Sequence, residues 1–165
     1  PQKLYVSQFA ELGVDIVNAQ VSGSPCMLGV PYSLYGSGWT APYTYNLAAV
    51  DRQMADLEEW SGGRHVLMML DLNLPDWWLA THPGHPNPFT DLGEAASSPA
   101  WRAEAGAYLT AVLAHCEARW NHRIIGYAIL GGRTHEWFCH RDDQDGPIKV
   151  AAAMRALGRP WPFAR

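Results

Sequence analysis

Three short apolar runs, separated by segments with helical periodicity, constrain the fold of this chain most strongly. The runs are VDIVNAQV at 14–21, HVLMMLDL at 65–72 and RIIGYAIL at 123–130. Runs this apolar are typical of strands that are buried on both faces of a parallel sheet. Strands that alternate with helices indicate βαβ units, so we expect an α/β domain built on a parallel sheet.

The segments between these runs show where helices begin and end. Apolar residues recur at helical spacing from Asn46 to Trp60, and Gly62 and Gly63 stop that helix. Ser98 and Pro99 are a favourable helix start, since serine caps a first turn and proline suits the first helical position. We therefore expect helices that end at Gly13, span 46–60, run from 99 to about 120 and span 147–157, with long loops over 22–42 and 73–97.

Size and charge limit the classes of protein to which the chain can belong. The 165 residues fit one domain, 1–165, and with 48% hydrophobic residues and eight tryptophans they can form a substantial core. The formal net charge of -4 and the lack of a Lys/Arg block argue against a nucleic-acid or anionic-membrane surface. No run of about 18 apolar residues predicts a membrane span. Three widely spaced cysteines favour free thiols, and the compartment stays open.

Polar residues gather where the second and third apolar runs end. Asp71 and Asn73 lie at the end of the second run, and the third is followed by two glycines and the ionisable segment RTHEWFCH at 133–140. The carboxyl ends of parallel strands are where α/β sheets and (β/α) barrels hold ligands. We therefore expect the functional site at this edge of the sheet.

Two longer segments resemble a known enzyme family. The stretch YTYNLAAVDRQMADLEEWSGGRHVLMMLDLNLPDWWLATHPG at 43–84 resembles the second helix, third strand and following loop of glycoside hydrolase family 42. The stretch SSPAWRAEAGAYLTAVLAHCEARWNHRIIGY at 97–127 is similar to that family's S-P-x-[YW]-R helix and fourth strand. The family contains the β-galactosidase-like members of a clan of retaining (β/α)8-barrel glycosidases. The resemblance spans roughly 5–140 and implies a partial (β/α)8 TIM barrel, with strands that correspond to about the second to fourth βα units.

The resemblance gives Glu136 a role. In the clan, a carboxylate that follows strand four is the general acid/base, and Glu136 stands at that position. It is preceded by His135 where the family usually has Asn, and histidine can also donate a hydrogen bond to a substrate. A carboxyl group beside Trp137 would be partly desolvated, which raises its pKa as protonation of a glycosidic oxygen requires. The alternative is a solvated carboxylate that pairs with a neighbouring arginine.

Further residues are candidate sugar ligands. Asp71, Asn73, Trp77, His135 and Trp137 are predicted to bind substrate at the carboxyl edge. Asp71 has an alternative role, in which it only fixes the loop by accepting hydrogen bonds from backbone amides. The consecutive pair of tryptophans at 77–78 cannot face one way, so one ring can lie against a pyranose while the other packs.

Four other aromatic or basic positions have plainer interpretations. Trp39 is predicted to pack in the core or in the first loop, with stacking of its ring on a sugar as the alternative. His82 and His85 lie among proline and glycine, which favours an exposed loop role. Arg102 is expected to be structural rather than catalytic.

A metal site is the competing interpretation of the ionisable segment. His135, Glu136 and His140 resemble the zinc-protease H-E-x-x-H pattern, but the second histidine comes one residue late. On a helix, residues four apart share a face while residues five apart do not, so the two histidines would not converge. Cys139 sits at the right spacing, and a metal-dependent hydrolase with His135, Cys139 and His140 stays an alternative. Our prediction is that no metal or cofactor is used.

The chain is short for the enzyme that it resembles. A full barrel takes about 250 residues, and only 25 residues follow His140. A retaining glycosidase needs a second carboxylate about 5 to 5.5 Å from the acid, which in this clan comes from strand seven. We therefore expect this chain to be part of a larger catalytic domain that acts on a carbohydrate. The chain alone is expected to be inactive, and the barrel is expected to be completed by the remaining barrel segment or by self-association. The alternative is a non-catalytic carbohydrate-binding or structural α/β module.

Overall fold

A computed structural model describes residues 2–23, 33–87 and 94–132. The strands are β1 (Ile16–Ser22), β2 (Trp39–Ala41), β3 (Thr44–Tyr45), β4 (His65–Asp71) and β5 (Ile124–Leu130). The helices are α1 (Gln2–Glu11), α2 (Leu47–Ser61), α3 (Asp76–Thr81) and α4 (Pro99–Trp120). The mixed α/β composition that the sequence predicts is confirmed.

The three long strands form one parallel sheet in the order β1-β4-β5. Strands that follow one another through α2 and α4 are therefore neighbours in space. The register places Val17 beside Val66 and Met68 beside Tyr127. This arrangement confirms the prediction of parallel βαβ units, while closure into a barrel stays a prediction.

Both crossover helices pack on the same face of this sheet. The strand residues of that face and the inner sides of α2 and α4 form one buried core. From these four elements the core includes Val17, Ala19 and Val21 of β1, Val66, Met68 and Leu70 of β4, Val50, Met54 and Leu57 of α2, and Trp101, Ala105, Tyr108, Val112 and Cys116 of α4. The alternating side chains, among them Asn18, Leu67 and Met69, point to the other face and are exposed or half-buried.

The helix ends follow the capping signals in the sequence. The Asn46 side chain accepts a hydrogen bond from the amide of Ala49 at 3.2 Å, and Gly62 ends α2 in the left-handed conformation with φ of 62°. Ser98 Oγ accepts from the amide of Trp101 at 3.3 Å, so α4 begins where the Ser-Pro pair predicts.

Two predicted loops contain regular structure. The short antiparallel pair of β2 and β3 begins inside the loop expected over 22–42, and α3 lies inside the loop expected over 73–97. Both loop predictions were wrong at these positions. The helix predicted over 147–157 lies outside the described residues. Within the described ranges, no helix combines the length and apolar character needed to cross a bilayer.

Polar contacts to the Asp51 carboxylate connect α2 to α4. His115 Nε2 and Trp120 Nε1 each lie 2.8 Å from Asp51 Oδ1, and Arg119 Nε lies at 3.3 Å. Burial acts to raise the pKa of Asp51, but hydrogen bonds from Trp120 and His115 and the charges of His115 and Arg119 outweigh it. The net effect lowers the pKa, so the folded state favours the ionised carboxylate.

We expect Asp51→Asn to lower the free energy of unfolding by about 1 kcal/mol near neutral pH, since it weakens a charge-assisted contact that is partly open to solvent. Because the folded pKa is lowered, the stabilisation is present above the unfolded value of 3.8 and is lost as the pH falls through the folded value. Urea unfolding at about pH 7 and at a series of pH values that decrease below the unfolded value should show the difference between the two proteins shrinking in acid. A difference that does not change with pH would contradict this account.

Candidate functional site at the carboxyl edge of the sheet

The last residues of the three parallel strands lie in one row. Ser22 pairs with Asp71, and Asp71 pairs with Leu130. Asn73 and Trp77 follow β4 on the same edge of the sheet. The structure therefore brings the described candidates to the carboxyl edge, where the sequence predicts the site.

Asp71 is fully buried and ties two strand ends together. Its Oδ2 accepts a hydrogen bond from Ser22 Oγ at 2.6 Å, and its Oδ1 accepts from the amide of Asn73 at 2.9 Å. These contacts correspond to the loop-fixing role that the sequence left open. Sugar binding by Asp71 stays a prediction.

Asn73 holds the chain where it leaves β5. The carboxamide Nδ2 donates to the carbonyl of Gly132 at 3.0 Å, and the amide of Gly132 donates to Oδ1 at 2.9 Å. We call this pair the Asn73–Gly132 clamp. It lengthens the β4–β5 ladder, whose last backbone bond joins the Leu72 amide to the Leu130 carbonyl at 2.9 Å. Gly132 has a φ of 82°, a conformation that favours glycine, so the second glycine after the apolar run has a structural reason.

The clamp fixes the backbone at the start of the predicted catalytic segment, because that segment begins directly after Gly132. Glu136 lies four positions beyond Gly132. His135, Glu136, Trp137, Cys139 and His140 all lie outside the described residues, so their roles stay predictions. Sequence reasoning predicted Asn73 as a sugar ligand and missed its contact with Gly132. The paired glycines after a strand were the available signal.

The consecutive tryptophans face different ways, as expected. Trp78 is fully buried, and its Nε1 donates to Glu104 Oε2 at 3.1 Å. Trp77 is half-buried, and its Nε1 donates to the carbonyl of Trp39 at 3.0 Å. Of the two tryptophans, Trp77 is therefore the one whose side chain keeps solvent-accessible surface. Its indole N–H already has a hydrogen-bond partner.

Trp39 packs beneath this edge, which confirms its predicted packing role. Its ring stacks on that of Tyr108 with centroids 5.2 Å apart and an interplanar angle of 16°. A Cβ on Gly38 would lie 2.8 Å from both Tyr108 Oη and Val21 Cγ1, so only glycine fits there. Burial, with a contribution from the Asp71 charge, raises the pKa of Tyr108 and keeps its hydroxyl protonated.

His82 and His85 do not have the exposed loop role that the sequence favours. Both are half-buried against Trp78, with His82 stacked at a centroid distance of 3.7 Å and His85 edge-on at 4.5 Å. The Nδ1 atom of each histidine lies within hydrogen-bond distance of a backbone carbonyl, that of Trp78 or Pro86. The two rings therefore help to seal the core beneath α3.

Arg102 has the structural role that was predicted. Its guanidinium donates to the carbonyls of Ala96 and Ser97 at 2.9 and 2.6 Å, which fixes the turn before α4.

The described residues offer little for metal or thiol chemistry. Within them, no three His, Cys, Asp or Glu side chains are grouped so that they could hold a metal ion. Cys116 is fully buried in α4, and burial raises the pKa of its thiol to about 12. A thiol in that state is protonated at neutral pH and is a poor nucleophile.

Comparisons with protein-family models, curated proteins and solved structures found no significant match. The resemblance to glycoside hydrolase family 42 therefore rests on the residues quoted above.

Proposed function

We propose that this chain is part of the catalytic domain of a β-galactosidase-like retaining glycosidase with a (β/α)8 barrel, in which Glu136 is the general acid/base. The Asn73–Gly132 clamp is the observation that favours this proposal most. It fixes the backbone at the carboxyl edge of β5, immediately ahead of the segment that contains Glu136. That edge is where (β/α) barrels place catalytic residues.

The layout of the sheet supports a barrel segment over a doubly wound sheet. The strands follow each other in chain order, and both crossover helices pack on one face. A doubly wound sheet reverses its strand order and places helices on both faces. A barrel keeps the order and holds its helices outside.

The chemistry assigns separate tasks to the candidate residues. Glu136 would protonate the glycosidic oxygen and then, as a base, activate the water that releases the sugar. Trp77 would offer its ring to a pyranose, and His135 and Trp137 would flank the acid. This mechanism needs no metal or cofactor.

The nucleophile is the missing part. Asp71 is a poor candidate, because it is fully buried and bonded to Ser22 and Asn73. In the related clan the nucleophile comes from strand seven, across the barrel, which makes a carboxylate on a neighbouring strand badly placed. The proposal therefore requires further barrel strands, and the 165 residues alone are expected to be inactive.

A non-catalytic carbohydrate-binding or structural module is the second candidate function. The burial of Asp71 favours it, because the carboxylate in the strand-end row is used for structure. The metal-dependent hydrolase is the third candidate and depends on His135, Cys139 and His140. Metal analysis of the purified protein, before and after Cys139→Ala, tests it.

We expect Trp77→Ala to weaken binding of a β-galactoside about fivefold, since stacking of a sugar on an aromatic ring contributes about 1 kcal/mol. Calorimetric titration of the chain with a galacto-oligosaccharide measures the change. Trp60→Ala is the matched control: Trp60 is also half-buried but lies at the end of α2, at the opposite edge of the sheet. Equal effects of the two substitutions, or no binding by the unaltered chain, would count against a sugar site at Trp77.

A further inference from the structure

Helix α1 packs on the protein through Val6, which lies against the core, and through polar contacts to α2. Lys3 Nζ lies 2.7 Å from Glu59 Oε1, and Ser7 Oγ donates to the carbonyl of Trp60 at 3.1 Å. Near the end of the helix, Arg64 donates to the carbonyl of Ala10 at 3.2 Å. These contacts fix which side of α1 faces the protein.

The opposite side of α1 is apolar and faces solvent. Leu4, Tyr5, Phe9 and Leu12 have exposed fractions between 53% and 79%. At about 100° per residue the first three lie on one side of the helix, with the exposed polar residue Gln8 among them, and Leu12 directly follows the helix end. We call these four residues the α1 stripe. An amphipathic helix normally buries its apolar side, so the stripe lacks a partner within the described part of the chain.

The stripe has the size and shape of a weak interface. With about 200 Å² for a fully exposed large side chain, the four residues expose on the order of 500 Å². Two such surfaces together give on the order of 1,000 Å², the low end for a specific interface. Tyr5, Phe9 and Leu12, with Gln8 and Glu11, also line a cavity of about 290 Å³, which is large enough to receive an aromatic or leucine side chain.

Charge favours a copy of the same chain as the partner. A twofold interface brings each residue near its own counterpart, so like charges in the patch would repel. The stripe contains no charged residue, and Glu11 lies at its rim. The whole chain is acidic, but the stripe itself carries no charge. A second copy can therefore approach the stripe without repulsion between charges within it.

We propose that the α1 stripe is a homodimer interface, in which two copies of this chain pack stripe against stripe about a twofold axis. Tyr5 and Phe9 are the aromatic anchors, and an apolar side chain of each copy fills the cavity of the other. The area is at the low end for a specific interface, so we expect a weak dimer whose population depends on concentration. The inference concerns the 165-residue chain by itself and does not depend on the role of Glu136. Further barrel segments that pack beside α1 would compete with a second copy for the stripe.

Sedimentation equilibrium of the purified chain over a wide concentration range tests the interface. We expect the unaltered chain to change from monomer to dimer, and Leu12→Glu to shift the dissociation constant upward at least tenfold. Leu34→Glu is the matched control, because Leu34 is 82% exposed and Leu12 is 79% exposed, yet Leu34 lies outside the stripe. A monomer at all concentrations, or equal effects of the two substitutions, would overturn the proposal.

Pairing through the edge of β1 is the competing route to self-association. The carbonyl of Asp15 accepts from the amide of His65, so alternate residues of β1 bond to β4 and the backbone of Asn18 points away from β4. Asn18→Pro therefore removes an outward donor and leaves the β1–β4 ladder intact. We expect this variant to dimerise like the unaltered chain. Loss of the dimer in Asn18→Pro, but not in Leu12→Glu, would assign association to the strand edge and refute the stripe.

Discussion

In the complete form of the proposed glycosidase, Glu136→Gln is expected to slow the cleavage of glycosides with poor leaving groups by about 10²–10⁴-fold. Glutamine keeps the size and hydrogen-bonding capacity of the side chain but has no proton to give. An alkoxide leaves slowly unless it is protonated, whereas an activated aryl oxide leaves without help. The first step with an activated aryl β-galactoside should therefore be much less affected, and substrate binding should stay close to that of the unaltered enzyme.

The measurement compares kcat/KM for an alkyl and a nitrophenyl β-galactoside over a range of pH. A general acid must be protonated to act, so Glu136→Gln should also remove the fall in rate on the alkaline side of the profile for the alkyl substrate. Glu58→Gln, the same substitution at an exposed position on α2, is the control and should change neither substrate's rate. Equal losses on both substrates would show that Glu136 acts in some other way, such as pairing with a neighbouring arginine.

The sequence predicts the elements whose signals are local. The apolar run at 65–72 and the caps at Asn46 and Ser98 each depend on residues close together in the chain, and the structure places β4, α2 and α4 there. The hairpin of β2 and β3 has strands of three and two residues, too short to show a period of two. The paired residues Trp39 and Tyr45 both lie against the ring of Tyr108, so a tertiary contact stabilises the hairpin.

Helix α3 was missed for a related reason. It spans six residues directly after Pro75, in a proline-rich stretch that reads as a loop. Trp78 lies in the core, and its indole N–H bonds to Glu104 in a different helix. Burial of one large aromatic ring stabilises a turn that the local sequence would not form alone.

The positions of the candidate residues at the carboxyl edge were predicted, but their contacts were not. The carboxyl edge follows from the strand direction, and Asp71 and Asn73 lie there. The role of Asn73 depends on a partner 59 positions away, which no local pattern reveals. The same limit applies to α1, because periodicity predicts a helix but does not say which of its sides finds a partner.

Asn73→Ala should reveal whether the clamp fixes the exit of β5. The substitution leaves the buried amide and carbonyl of Gly132 without partners and opens a small cavity, so we expect a loss of about 3 kcal/mol in the free energy of unfolding. Asn73→Asp separates the two bonds, since a carboxylate still accepts from the Gly132 amide but has no donor for the Gly132 carbonyl. It should cost at least as much, because two acceptors then face each other in a buried position.

Amide hydrogen exchange locates the effect within the molecule. In both variants the exchange of the Gly132 amide reports on local opening, and we expect it to accelerate much more in Asn73→Ala, which has no acceptor for it. The Leu72 amide, which bonds to the Leu130 carbonyl one step earlier in the ladder, is the internal control and should stay protected. Equal acceleration of both amides would mean that Asn73 supports the whole sheet. Unchanged protection of Gly132 would mean that the clamp does not hold the start of the segment with Glu136, and the structural argument for the proposed acid/base would then fail.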